Sequence, residues 1–111
     1  MHQNNLHNRV LLFLSQNKIK NYQDKKKVLK RYYNNPKEVK AYLQQVADEV
    51  ESYIVNKKGT ITVDTIKESW KESFGYYGSK TWAKVSPYLT NKNQKYFKKA
   101  VLTYLLELVS K

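Results

Sequence analysis

Apolar positions recur at helical spacing along most of the chain. Leu6, Val10, Phe13 and Leu14 stand three and four apart, which puts them on one side of a helix running from about residue 5 to the stretch 17–21. Asn21 then occupies an N-cap position ahead of Tyr22, Val28, Leu29, Tyr32 and Tyr33. Asn34-Asn35-Pro36 ends this second helix, because the residue before a proline is driven out of the α region. The third start combines Asn35 as cap, Pro36 at the first helical position and Glu38 in the first turn. Val39, Leu43, Val46, Val50, Tyr53 and Ile54 extend its stripe to Gly59, a left-handed stop.

Beyond Gly59 the pattern changes. Thr60-Ile61-Thr62-Val63 alternates like a strand, but no second strand exists to pair with it. It therefore reads as an extended lead into a fourth helix, capped by Thr62 or Asp64 and carrying Val63, Ile66, Trp70 and Phe74. Gly75 suits the left-handed position after that helix, and Ser79 can cap a short fifth helix bearing Trp82 and Val85, which Pro87 divides. The last helix is expected to begin near Asn91, with Gln94 completing a capping box. Its segment VLTYLLELV, residues 101–109, is apolar on nearly every side and reads as threaded through the centre, the alternative being half exposure for a partner. The prediction is an all-α fold: one basic domain over residues 1–111, a compact bundle of about five to six short helices. An irregular helix-turn-helix is expected between residues 63 and 89.

Charge sharpens this picture. Twenty-one Lys and Arg against nine Asp and Glu give +12, a self-repulsion that a polyanionic partner would relieve. The excess comes in blocks: nine basic and two acidic residues over 18–40, six and none over 76–99, and four against six over 41–75. On the second helix Lys26, Lys27, Lys30 and Arg31 fall in one arc, opposite Tyr22, Val28, Leu29, Tyr32 and Tyr33. On the last helix Lys92, Lys95, Lys98 and Lys99 share a side opposite Phe97, Val101, Tyr104 and Leu108. Arg9 and Arg31 are the only arginines, so phosphate contact is expected to outweigh bidentate guanine readout, and affinity should be salt-sensitive.

The stretch FGYYGSKTW, residues 74–82, adds rings to the charges. Phe74 and Trp82 read as core, together with Trp70. Tyr76 and Tyr77 follow a helix stop and adjoin Lys80 and Lys84, a combination suited to stacking on unpaired bases. Over about a dozen residues, Gly75-Tyr-Tyr-Gly78 resembles the GXXG loop of KH domains. Those domains need a three-stranded sheet, so only the physical idea is kept: a helix N-terminus with Lys80 offered to phosphate.

Catalytic chemistry is poorly represented. There is no cysteine, the two histidines are His2 and His7, and no serine has an activating context. Asp64, Glu68 and Glu72 share a helix face but interleave with Lys67 and Lys71, which reads as surface ion pairs rather than a metal site. GSKT lacks the contiguous GK[ST] of a phosphate loop. No cofactor, metal or membrane partner is expected, and the location is expected to be cytoplasmic. The expectation is a non-enzymatic nucleic-acid-binding domain, DNA in preference to RNA, serving replication, packaging or regulation of a mobile element. The alternative is a protein-interaction module, an inhibitor or assembly subunit, that binds an acidic partner. A homodimer through the C-terminal helix is a further expectation.

Overall fold

A computed structural model describes residues 2–17 and 21–110. The elements are α1 (His2–Ser15), α2 (Tyr22–Tyr33), α3 (Pro36–Lys58), α4 (Val63–Ser73), α5 (Lys80–Val85), a 3-10 turn at Ser86–Tyr88, and α6 (Asn91–Ser110). Among the described residues there is no strand, and Ile61 and Thr62 form the extended lead into α4.

Most starts and stops follow from side-chain chemistry. Asn21 Oδ1 accepts from the Asp24 amide at 2.9 Å, and Asn35 Oδ1 from the Lys37 amide at 3.0 Å. Gly59 ends α3 at φ +86°, a conformation that costs glycine little. Thr62, not Asp64, caps α4: its Oγ1 accepts from the Thr65 amide at 3.1 Å, while Thr65 Oγ1 accepts from the Thr62 amide at 2.8 Å.

Three local expectations are corrected. Gly75 is not left-handed, since Gly59 is the positive-φ glycine. The reversal after α4 closes instead by the Gly78 and Ser79 amides donating to the Gly75 carbonyl at 3.2 and 2.9 Å. Glycine is needed at 78 for closeness: a Cβ there would stand 2.5 Å from the Glu72 carbonyl oxygen and from Ser73 Cα. At the start of α6, Thr90 Oγ1 accepts from the Asn93 amide at 3.1 Å, and the Gln94 amide group reaches back to the Ser86 carbonyl at 2.9 Å. The cap is thus Thr90, and Gln94 closes the preceding turn. Tyr22, expected on the apolar side of α2, is 72% exposed because the first residue of that helix extends beyond the packed contact.

Every other α-helix packs on α3. Val46, Val50 and Ile54 of α3 and Phe97, Val101 and Leu105 of α6 are fully buried in one apolar cluster, and burying each such side chain contributes on the order of 1.5–3 kcal/mol. Where α2 meets α3, tyrosine rings take over. Tyr33 meets Tyr42 edge-on at 5.2 Å and stacks on Tyr88 at 5.6 Å between centroids. Burial pushes the Tyr33 phenol up to about 12 and the Tyr42 phenol up as well. Glu38 stands in the first turn of α3 as expected, and there it is buried against Arg9 of α1 in an ion pair.

The apolar end of α6 does not run through the centre. It lies along α3 with Val101 and Leu105 inward, while Leu102 is half-buried and Leu106 is 40% exposed. Asn34 fastens the other end: its Nδ2 donates to the Lys30 and Tyr88 carbonyls at 2.7 and 2.8 Å, and its Oδ1 accepts from the Thr90 amide at 3.0 Å and Asn93 Nδ2 at 2.8 Å.

Candidate nucleic-acid interface

The first basic patch is built by α2. Val28, Leu29, Tyr32 and Tyr33 are buried, which turns the opposite arc outward and leaves Lys26, Lys27, Lys30 and Arg31 exposed. Asp24 is the helix's one carboxylate; with five cations, Lys25 included, α2 carries 5 − 1 = +4.

Acidic groups lie elsewhere. Seven of the nine belong to α3 and α4. Among the described residues, the ion pairs are Arg9–Glu38, Lys57–Glu72 at 2.6 Å and Lys58–Glu68 at 3.1 Å. Glu68 and Glu72 therefore pair across to α3 rather than with Lys67 and Lys71. Tyr53 also donates to Glu72 at 2.9 Å, and the contact with Lys57 holds the Glu72 carboxyl below its ordinary value. None of these pairs uses a cation of α2, α5 or α6. Charge is thus sorted by element, with α3 at 4 − 4 = 0, α4 at 2 − 3 = −1, α5 at +2 and α6 at 4 − 1 = +3.

The lysines of α6 do not act as one row. Lys92, Lys95 and Lys99 are exposed, whereas Lys98, though also exposed, holds its Nζ 5.7 Å from the ring centroids of both Phe74 and Trp82. Asn93, bonded to Asn34, marks the flank turned toward α2, and five residues at about 100° each put Lys98 roughly 140° away from it. Lys98 thus belongs with the aromatic turn, well round α6 from the contact with Asn34.

In that turn Tyr76 and Tyr77 are 61% and 87% exposed, as their position after a helix stop predicts. Their rings meet edge-on at 5.4 Å, and Lys80 Nζ is 6.0 Å from the Tyr76 centroid. Lys84 is exposed one turn further on. Trp82 is buried, and Trp70 and Phe74 pack partly buried beside it.

The N-terminus of α5 is not open to phosphate, contrary to expectation. Glu49 of α3 occupies it: Oε1 accepts from Ser79 Oγ at 2.7 Å and the Thr81 amide at 3.0 Å, and Oε2 accepts from Thr81 Oγ1 at 2.7 Å and Gln45 Nε2 at 2.8 Å. Burial alone would raise this carboxyl, but the hydrogen bonds from Gln45, Thr81 and Ser79 outweigh it and leave it below its ordinary value. Tyr77 and Lys80 also share a polar hollow with Asp48 and Glu49, so an incoming phosphate would meet carboxylates there.

Periodicity within single helices does not disclose the grooves beside α2. One, of about 600 Å³, is lined by Asn17, Asp24, Lys27, Val28, Lys30 and Arg31, three cations around one carboxylate. The second, of about 440 Å³, brings Arg9, Arg31 and Lys37 together with Glu38, the ion-pair partner of Arg9, where α1, α2 and the start of α3 meet. Arg31 lies on both and donates to Asn17 Oδ1 at 3.3 Å. The legible signal for Lys37 was the Asn35-Pro36 corner, which folds α3 back beside the end of α2.

Among the described residues no three His, Cys, Asp or Glu side chains converge as a metal site, and no helix is long and apolar enough to cross a membrane. Compared with known proteins, the chain matches no family model, no curated protein and no solved structure.

Proposed function

We propose that this protein is a non-enzymatic nucleic-acid-binding protein, with DNA preferred, and that α2 is its main contact. The observation that carries the reading is the outward arc of Lys26, Lys27, Lys30 and Arg31, all exposed, on a helix whose other side is buried. Lys37, which shares a groove with Arg31, extends it. Lysines on a fixed helix make point contacts with phosphate, which position a duplex without reading its bases. Tyr76 and Tyr77 form a second, smaller surface for unpaired bases, with Lys80 beside Tyr76, Lys84 one turn on, and Lys98 over the neighbouring Phe74 and Trp82 rings. A cytoplasmic setting and a role in replication, packaging or regulation of a mobile element accompany this reading on sequence composition alone.

The test is replacement of Lys26, Lys27, Lys30 and Arg31 by Gln. Each phosphate contact contributes about 0.9 to the slope of log affinity against log salt on duplex DNA, so the slope should fall by as much as about 3–4. These side chains face water, and the fold should survive. A folded variant with unchanged affinity and salt slope would refute the assignment to α2.

A further inference from the structure

Between α4 and α6 lies a groove of about 440 Å³ that the nucleic-acid reading does not use. Ile66, Trp70 and Leu102 form its floor, and Val63 and Leu106, 46% and 40% exposed, form its lips. Lys67 is the one charged residue lining it. The volume is within the range of about 300–1,000 Å³ usual for binding pockets, and an apolar floor with few polar groups is their usual chemistry.

Lysines dominate the charges around the groove. On α6, Lys95, Lys98, Leu102 and Leu106 fall on one flank at about 100° per residue, so a basic stretch continues into an apolar one. Phe74 joins the two: it packs edge-on against Trp70 at 4.7 Å and lies under Lys98 Nζ. On α4, Glu68 and Glu72 are turned the other way, held by Lys58 and Lys57 of α3. Asp64 and Glu107 lie about 100° round their helices from Val63 and Leu106.

We infer that this groove docks an acidic amphipathic helix of a partner protein. Apolar side chains at i, i+3 or i+4, and i+7 of the partner would enter between Val63 and Leu106, and its Asp and Glu would face Lys67, Lys95 and Lys98. A second copy of this chain is a poorer occupant, because each copy carries +12 and a two-fold contact would set the two basic rims against each other.

The experiment selects a phage-displayed library of helix-biased peptides against the folded protein, then titrates the enriched peptides while monitoring tryptophan emission. Enriched sequences should combine the helical apolar period with Asp and Glu flanks. Leu106→Gln and Lys67→Gln should each weaken them about tenfold, with circular dichroism and duplex affinity unchanged. No enrichment, enrichment of basic or aperiodic sequences, or equal binding to both variants would overturn the proposal. A wild-type dimer in sedimentation that Leu106→Gln dissociates would overturn it in favour of a second copy. Because duplex affinity is read in parallel, loss of the peptide site and loss of the nucleic-acid reading are distinguishable.

Discussion

Glu49→Gln should be among the most damaging conservative substitutions in this protein. The carboxylate accepts four hydrogen bonds, three from the start of α5 and one from Gln45 on its own helix. Hydrogen bonds to a charged group contribute about 1.5–3 kcal/mol each when measured singly, but these share one carboxylate in a half-buried site and do not add. Glutamine keeps one accepting oxygen and puts an amide donor where Gln45 or Thr81 now donates. A loss of about 2–3 kcal/mol is expected, which for a domain near 100 residues is roughly 10 °C in Tm. Thermal unfolding by circular dichroism, repeated across pH, measures both the loss and its origin. The folded-state carboxyl lies below its ordinary value of 4.5, so its contribution is present above that pH and is lost as pH falls through the folded value. Wild type should therefore lose stability on acidification more steeply than the variant. Equal Tm at pH 7, or parallel acid profiles, would refute the view that Glu49 holds α5 in place.

Gly78→Ala should cost about 1–3 kcal/mol or more, because the atoms a Cβ would meet are all backbone; Gly59→Ala meets nothing within 4 Å, and its cost of about 1–2 kcal/mol would come from the left-handed φ alone. Asn34→Ala should lower stability by about 1–3 kcal/mol in chemical denaturation by releasing the Tyr88 carbonyl and the start of α6. Replacing Tyr76 and Tyr77 together by Ala should change stability by no more than about 0.5 kcal/mol while weakening single-strand binding by about 1–3 kcal/mol per stacked base. Early melting with unchanged single-strand affinity in that variant would assign the rings to the core.

Elements were legible where a local signal is self-sufficient. Asn21, Asn35, Gly59, Thr62 and Ser79 all act as their position in the pattern implies, since a cap needs only its own next turn. Signals that depend on a second segment were not. Gln94 has the spacing of a capping box but finds the Ser86 carbonyl nearer, and Glu38 has the placement of a first-turn acid but meets Arg9 from another helix. The basic arc of α2 could be read from spacing because one helix builds all of it. The lysines of α6 share a face by the same arithmetic, yet Lys98 lies over the Phe74 and Trp82 rings, a contact that spacing within α6 does not show. Occupation of the α5 N-terminus by Glu49 comes from 30 residues away and has no local trace.

The reliance of the other helices on α3 gives the molecule a strong end and a weak one. Backbone amides around Val46, Val50 and Ile54 are sealed by helices on several sides, so their protons should exchange with solvent only through global opening. α1 rests on α2 and α3 and leaves Leu11 and Leu12 50% and 59% exposed, so its detachment would surrender little of the contact between α3 and α6. That local excursion would strip Glu38 of its guanidinium and Tyr42 of the Leu6 carbonyl, to which its hydroxyl donates at 3.3 Å, leaving two buried polar groups to water. Partial unfolding of this protein therefore has a preferred starting point, and it borders the surface that carries Arg31 and Lys37.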